Sequence, residues 1–260
     1  MLGHFDIAGH SDVGRVRQNN QDSILVDARL GLFVLADGVG GGPGGELASQ
    51  ITVQTVYEVM RQELDNRWYR FWGRADQARL GVMESAVLSA HLAVSEFIEQ
   101  NPELRGMAST VVVGVLGVGR CLCVAVGDSR LYHLGDDGLI QVTEDQTLAN
   151  KLVADGYIPP DDPRVDQYSH VLTHAVGSEE ALEVQKWVVP MRAGDMVLAC
   201  SDGLNDMVAD AEIANLAVQG DSLERSVGLL VDAANGAGGR DNVSVIVATT
   251  SERALLPLCG

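Results

Sequence analysis

Short runs of β-branched and other apolar residues recur along the chain, at 31–36, 110–118, 121–126, 130–134, 187–190, 196–200 and 243–249. Their composition and length predict strands. "GVGR" at 117–120 and "GDDG" at 135–138 read as hairpin turns, which makes the middle of the chain an antiparallel meander. A different period appears at about 45–65 and 80–100, where "LGVMESAVLSAHLAVSEFIEQ" places apolar residues three and four apart and predicts helix. Further helices are predicted at 145–155, 209–218 and 222–235. Asn101-Pro102 should close the second helix, because a residue before proline is driven out of helical geometry.

The strands cluster instead of alternating strictly with helices. That argues for an α+β fold with antiparallel sheets, helices on the outer faces, and no doubly wound parallel sheet. The strands are too many for one flat sheet, so two packed sheets are expected. No internal linker interrupts the pattern, and residues 1–250 are read as a single domain. Residues 156–172, "GYIPPDDPRVDQYSHVL", carry three prolines and little periodicity, so they are read as a surface excursion within a flap at about 147–172. Residues 251–260 form a short tail with no pattern of their own.

The chain has 260 residues, 46% of them hydrophobic, which suffices for one large core. Formal net charge is −18, from 36 acidic against 18 basic residues. Such a balance repels phosphate backbones and anionic lipid, so neither nucleic acid nor a membrane is the expected partner. No apolar run reaches membrane-spanning length, and the N-terminus lacks the pattern of a signal peptide. A cytoplasmic location is therefore expected. Of the four cysteines, Cys121, Cys123 and Cys200 lie in strand-like runs and Cys259 near the end, with no CxxC pairing. They read as buried free thiols with no metal or redox role.

The candidate chemistry lies in a repeated aspartate. "GLFVLADG" ends in Asp37-Gly38 and "DMVLACSDG" in Asp202-Gly203; "CLCVAVGDSR" puts Asp128 just after a strand, and "GGRDNVSVIV" puts Asp241 just before one. Any one of them is explained by ordinary turn chemistry. Four at strand ends can converge across adjacent sheet edges, and buried carboxylates must then be neutralised. Metal ions are the natural solution. An all-oxygen set without His or Cys favours Mg²⁺ or Mn²⁺ over Zn²⁺ or Cu²⁺. A carboxylate bridging two such ions, roughly 3.5–4 Å apart with a water between them, suits in-line displacement at phosphorus.

Six glycines between 38 and 45 follow Asp37 before a helix that starts near Glu46. Small residues there keep the approach to Asp37 open and permit φ values that a Cβ disfavours, and the Gly38 carbonyl is a further candidate ligand. Gly40, Gly42 and Gly45 also satisfy GxGxxG. The dinucleotide reading is disfavoured because the aspartate precedes the glycines and no parallel βαβ series follows. Near the N-terminus, Arg17 could grip a phosphate with its planar fork and Asp22 could hold metal-associated water; a surface ion pair is the plain alternative for each.

In these residues the chain resembles the metal-dependent protein phosphatase 2C family in its compact bacterial form. The resemblance rests on "SDVGRVRQNNQD", "LADGVGGGPGGELAS", "MASTVVVGVL", "AVGDSRLYHL", "LTHAVG", "VLACSDGLNDMV" and "GGRDNVSVIV", in family order over about residues 8–249. It implies a four-layer αββα architecture, a β-sandwich flanked by helices, with a two-metal centre at one end. It also implies a Mg²⁺- or Mn²⁺-dependent phosphoprotein phosphatase that hydrolyses phosphoserine and phosphothreonine with a metal-bridging water, without a covalent intermediate. Residue by residue, Asp37 would bridge the metals and Gly38 would lend its carbonyl. Asp202 and Asp241 would complete one metal's ligands, and Asp22 would act mainly through water at the other. Asp128 would join Asp202 at a weaker third metal. Arg17 would bind the substrate phosphate, and Asn242 would support Asp241. The implied partners are phosphorylated proteins, the substrates of a bacterial serine/threonine kinase, and the chain is expected to be a monomer.

Two positions depart from the eukaryotic pattern: Val39 stands where many members carry His, and Gln21 where they carry an acidic ligand. Bacterial relatives share both changes. The proton donor to the leaving group is left unassigned, with a third-metal water, His170 and His174 as candidates. Two other functions remain in view: a catalytically silent phosphoprotein binder, against which the complete carboxylate set argues, and a phosphatase for small molecules or a dedicated regulator.

Overall fold

The computed structural model describes residues 5–40, 44–66 and 68–250; Gly42 of the GxGxxG pattern and the tail at 251–260 lie outside them. Eleven strands form two antiparallel sheets among the described residues. The first has the order β1 (Phe5–Asp12), β11 (Val243–Thr250), β10 (Met196–Cys200), β7 (Arg130–Gly135), β8 (Gly138–Gln141). The second has β2 (Asp22–Asp27), β3 (Leu32–Val39), β5 (Val111–Gly117), β6 (Arg120–Val126), β9 (Gln185–Pro190), with the short β4 (Ala108–Ser109) also paired to β3. The helices are α1 (Gly44–Arg61), α2 (Trp68–Trp72), α3 (Asp76–Gln100), α4 (Leu148–Ala154), α5 (Arg164–Tyr168), α6 (Asp202–Asn205), α7 (Asp210–Gln219) and α8 (Leu223–Gly236).

Strand periodicity explains how these elements become four layers. Side chains alternate across a sheet, so a strand buried on both faces reads as an unbroken apolar run. On β3, Leu32, Val34 and Ala36 pack with Val53, Val56 and Met60 of α1 and Met83, Val87 and Val94 of α3. Phe33 and Leu35 point the other way, into the space between the sheets, where they meet Val112, Cys123, Val197 and Ile246. On the far side, Tyr132, Leu198, Val245 and Val247 pack against Ile213 of α7 and Leu230 and Val231 of α8. Three apolar layers thus separate helix, sheet, sheet and helix. Cys121, Cys123 and Cys200 are buried and free.

Both predicted hairpins occur, with Gly119 at φ +71° and Gly138 at φ +88°. Asn101 ends α3, its side-chain amide donating to the Phe97 carbonyl at 2.9 Å. Both neighbours of β3 in its sheet, β2 and β5, run antiparallel to it, which removes the basis for a dinucleotide fold. The sequence pattern missed β1, β2, β4, β8 and the short α2, α5 and α6. Of the segments read as apolar, α3 has the length and composition to cross a membrane, against the expectation that none does. In the fold, Leu80, Met83, Ala86, Val87, Ala90 and Val94 of this helix are buried.

The packing is tight where the sheets meet. A Cβ at Gly114 would lie 1.9 Å from Cζ of Phe33. Gly114→Ala must push the ring off its rotamer or spread the strands, and a loss of about 1–3 kcal/mol is expected. A urea midpoint unchanged by this substitution would show that the sandwich is looser than described.

Candidate metal centre

The ends of β3, β6 and β10 and the start of β11 open on one cleft of about 900 Å³, lined by Asp37, Asp128, Asp202 and Asp241 with Arg17 and Gly38. Asp22 is 7% exposed and sits behind them on β2, directly across from Asp37 in the β2–β3 ladder. All the metal-ligand candidates and Arg17 are therefore brought to one place. They come from distant parts of the chain because each terminates a strand, or a loop leading to one, at the same end of the sandwich.

The backbone around the carboxylates is held firmly. The Asp37 amide donates to Oγ1 of Thr110 at 2.9 Å, and its carbonyl accepts from the Thr110 amide at 2.8 Å and the Ser109 hydroxyl at 3.0 Å. Gly38 is extended and needs no unusual φ. Its role is close approach: a Cβ there would lie 1.9 Å from the Gly45 carbonyl oxygen, and one on Gly45 would lie 2.6 Å from the Gly38 oxygen. These glycines let the end of β3 press against the start of α1. Gly203 plays the same part beside the Asn242 carbonyl, also 1.9 Å from a would-be Cβ.

Asn242 acts as a clamp. Its side-chain oxygen accepts from the Gln21 amide at 2.8 Å, and its NH₂ donates to the carbonyls of Val13 at 2.9 Å and Asn19 at 3.0 Å. The loop carrying Arg17 is thereby fixed beside Asp241. Arg17 donates to Asp241 Oδ2 at 2.7 Å, while the Asn242 amide donates to Oδ1 at 2.8 Å.

Electrostatics make the cluster unstable by itself. Burial pushes Asp22 up to about 6, with the charge of Asp241 adding to it and the Ser201 hydroxyl, 2.7 Å from Oδ2, opposing it. Burial raises Asp37 well above the carboxylate range, followed by repulsion from Asp22, Asp202, Asp128 and Asp241. Asp202 is raised for the same reasons, burial first and then Asp128 and Asp206. Burial and Asp145 bring Asp128 to about 6. One oxygen of Asp22 and one of Asp202 are buried without a hydrogen-bond partner. Orphaned oxygens among like charges fit hard divalent cations, and the donor set is the one Mg²⁺ and Mn²⁺ prefer.

Sequence reasoning did not single out Asp206, Asp166 or Arg240, which also line the cleft. Asp206 was detectable only from its spacing to Asp202, one helical turn on along α6 and its cap. Its carboxylate, that of Asp202 and the His170 imidazole bring ligand atoms within 4.8 Å of one another. Of the two histidine candidates, His170 lines the cleft, 3.8 Å from Asp206 Oδ2. His174 lies outside it, its Nδ1 3.2 Å from the Thr173 hydroxyl and its Nε2 3.9 Å from Glu183.

Comparison with known proteins places these features in context. The family model described as Protein phosphatase 2C matches residues 9–230. The serine/threonine protein phosphatase PstP of Mycobacterium tuberculosis is 35% identical over 241 residues, 93% of this chain. The chain spans 44% of that relative's length. The serine/threonine phosphatase stp of Listeria innocua is 28% identical over 243 residues, covering 91% of this chain and 92% of the relative. Among solved structures, M. tuberculosis PstP/Ppp superposes with a TM-score of 0.83 at 33% identity, over 95% of this chain and 99% of that one. A second structure, the PstP catalytic domain in complex with two manganese ions, gives 0.80 at 33% identity over the same shares.

Proposed function

The chain belongs to the protein phosphatase 2C family, and on that footing we propose that it hydrolyses phosphoserine and phosphothreonine in proteins, opposing a serine/threonine kinase in the cytoplasm as a monomer. The observation that carries this reading is the single cleft holding Asp37, Asp128, Asp202 and Asp241, with Arg17 at its edge. Asp37, the Gly38 carbonyl, Asp22, Asp202 and Asp241 would hold two cations. Asp128 and Asp202 would hold a weaker third, with Asp206 as a further donor. Bound there, divalent cations supply positive charge against the phosphoryl oxygens and lower the pKa of an attacking water.

The chain's own groups do the rest. Arg17 is half-exposed, and only one of its nitrogens is engaged with Asp241. Its remaining N–H groups are available to orient the phosphate as a planar fork. Asn242 keeps that loop from drifting, which preserves the geometry between phosphate and cations. His170, on the flap and facing the cleft, is the imidazole placed to give a proton to the departing serine or threonine oxygen.

Phosphate release from matched phosphothreonine and phosphotyrosine peptides with Mn²⁺ tests the proposal. The phosphothreonine peptide should turn over about tenfold faster or more, because no Phe, Tyr or Trp stands among the described residues that line the metal cleft to hold a phenyl ring. Equal or faster release from phosphotyrosine would contradict it.

A further inference from the structure

Beside the metal cleft lies a second groove of about 910 Å³, between the C-terminal half of α3, the 102–108 loop and the segment 172–180. Leu172 lines both depressions, so the groove adjoins the cleft. Its wall is tied to the centre itself. The amides and carbonyls of Ser109 and Val176 exchange hydrogen bonds of 2.9 and 2.7 Å, and the Ser109 hydroxyl donates to the Asp37 carbonyl at 3.0 Å. Anything seated there touches a rigid extension of the metal site.

The groove has mixed chemistry with a clear bias. Half-buried Ile98 and exposed Pro102 give it apolar surface, over the buried Met107 and Ala175. Its charged groups are Glu99, Glu179 and Glu180 against Arg105, all exposed. None of these four makes an ion pair with another described residue. Two imidazoles also line it. His91 accepts a hydrogen bond from the Gly177 amide at 3.1 Å, and burial lowers its pKa. His174 faces Glu183. Three unpaired carboxylates around an apolar floor, in a chain of net charge −18, attract a cationic segment with some apolar character.

We propose that this groove receives the polypeptide flanking the phosphorylated residue of a protein substrate, and that it selects flanks carrying lysine or arginine beside an apolar side chain. The inference rests on the phosphatase reading above. It distinguishes two kinds of substrate: a small phosphate ester occupies the cleft, whereas the chain flanking a phosphorylated residue can extend past Leu172 into the groove.

The test compares phosphothreonine peptides that differ only in Lys or Glu placed three to six residues from the phosphothreonine, on either side. At low salt the wild type should favour the Lys peptide by about tenfold in kcat/KM, through KM, and the preference should shrink as ionic strength rises. The double substitution Glu179→Lys with Glu180→Lys, at exposed positions, should abolish or reverse that preference while leaving p-nitrophenyl phosphate hydrolysis unchanged. No discrimination by the wild type, or an equal change with peptide and small ester, would overturn the proposal. Absence of turnover even on the small ester would sink the phosphatase reading instead. In that case fluorescence anisotropy of the unphosphorylated Lys peptide decides the groove: weaker binding to the double variant supports it, and equal binding overturns it.

Discussion

Asp37→Asn is expected to lower Mn²⁺-supported turnover roughly a thousandfold or more, about 4 kcal/mol of transition-state stabilisation, while raising the melting temperature of the metal-free protein at pH 8. Both effects follow from one geometry. Asp37 stands across the ladder from Asp22, and its ionisation is opposed by burial and by four other aspartates. The amide keeps the shape of the carboxyl, and the backbone clamp from Ser109 and Thr110 does not depend on the side chain. What is lost is the anion that cations need; what is gained is relief from repulsion when cations are absent. A variant as active as wild type, or one whose metal-free form melts lower, would show that Asp37 is an ordinary turn residue.

The second large effect is a reversal of the pH dependence of stability by metal. Asp22 moves from 3.8 to about 6 on folding, so the folded state holds its proton where the unfolded state has released it. A raised pKa contributes stability that is complete below about pH 4 and lost as pH climbs through about 6. For Asp22 alone the change is on the order of 3 kcal/mol. Asp128 moves the same way, and Asp37 and Asp202 are raised as well, so each adds to the decline. Depressed acids such as Asp162, lowered to about 2 by hydrogen bonding to Arg164, act only below this window. In chelator, the melting temperature should therefore fall between pH 4.5 and 7. With saturating Mn²⁺ it should hold or rise, because cations bind the deprotonated carboxylates and stabilise the state that holds them. A metal-free protein that gains stability across that range would contradict the charge crowding.

The sequence was readable where both faces of a strand are buried. The runs containing Phe33–Leu35, Val112–Val115 and Val245–Val247 are continuous because one set of side chains meets helices and the other meets the opposite sheet. β1 and β2 were hidden for the converse reason. They are edge strands, in which only Phe5, Ala8 and Asp22 are buried, so propensity and apolar pattern are both weak. α5 and α6 are shorter than the window over which helical periodicity can be recognised.

The site was legible as four aspartates at strand ends, and they do converge. The glycine argument holds at Gly40, whose φ is +149°, but Gly38 and Gly45 are required instead by the contact between β3 and α1, which no local pattern reveals. Asp206, one helical turn after Asp202, and Arg240, next to Asp241, escaped notice because neither stands at a strand end; the serine and threonine hydroxyls that brace Asp37 and Asp22 join the site only through the third dimension.

The most direct measurement is hydrolysis of p-nitrophenyl phosphate by the purified chain with Mn²⁺, with Mn²⁺ plus excess chelator, and by Asp202→Asn under the first condition. The account predicts turnover with metal alone, lost both to chelator and to the substitution. Turnover that survives chelator, or that Asp202→Asn retains in full, would place the chemistry elsewhere than at the aspartate cluster.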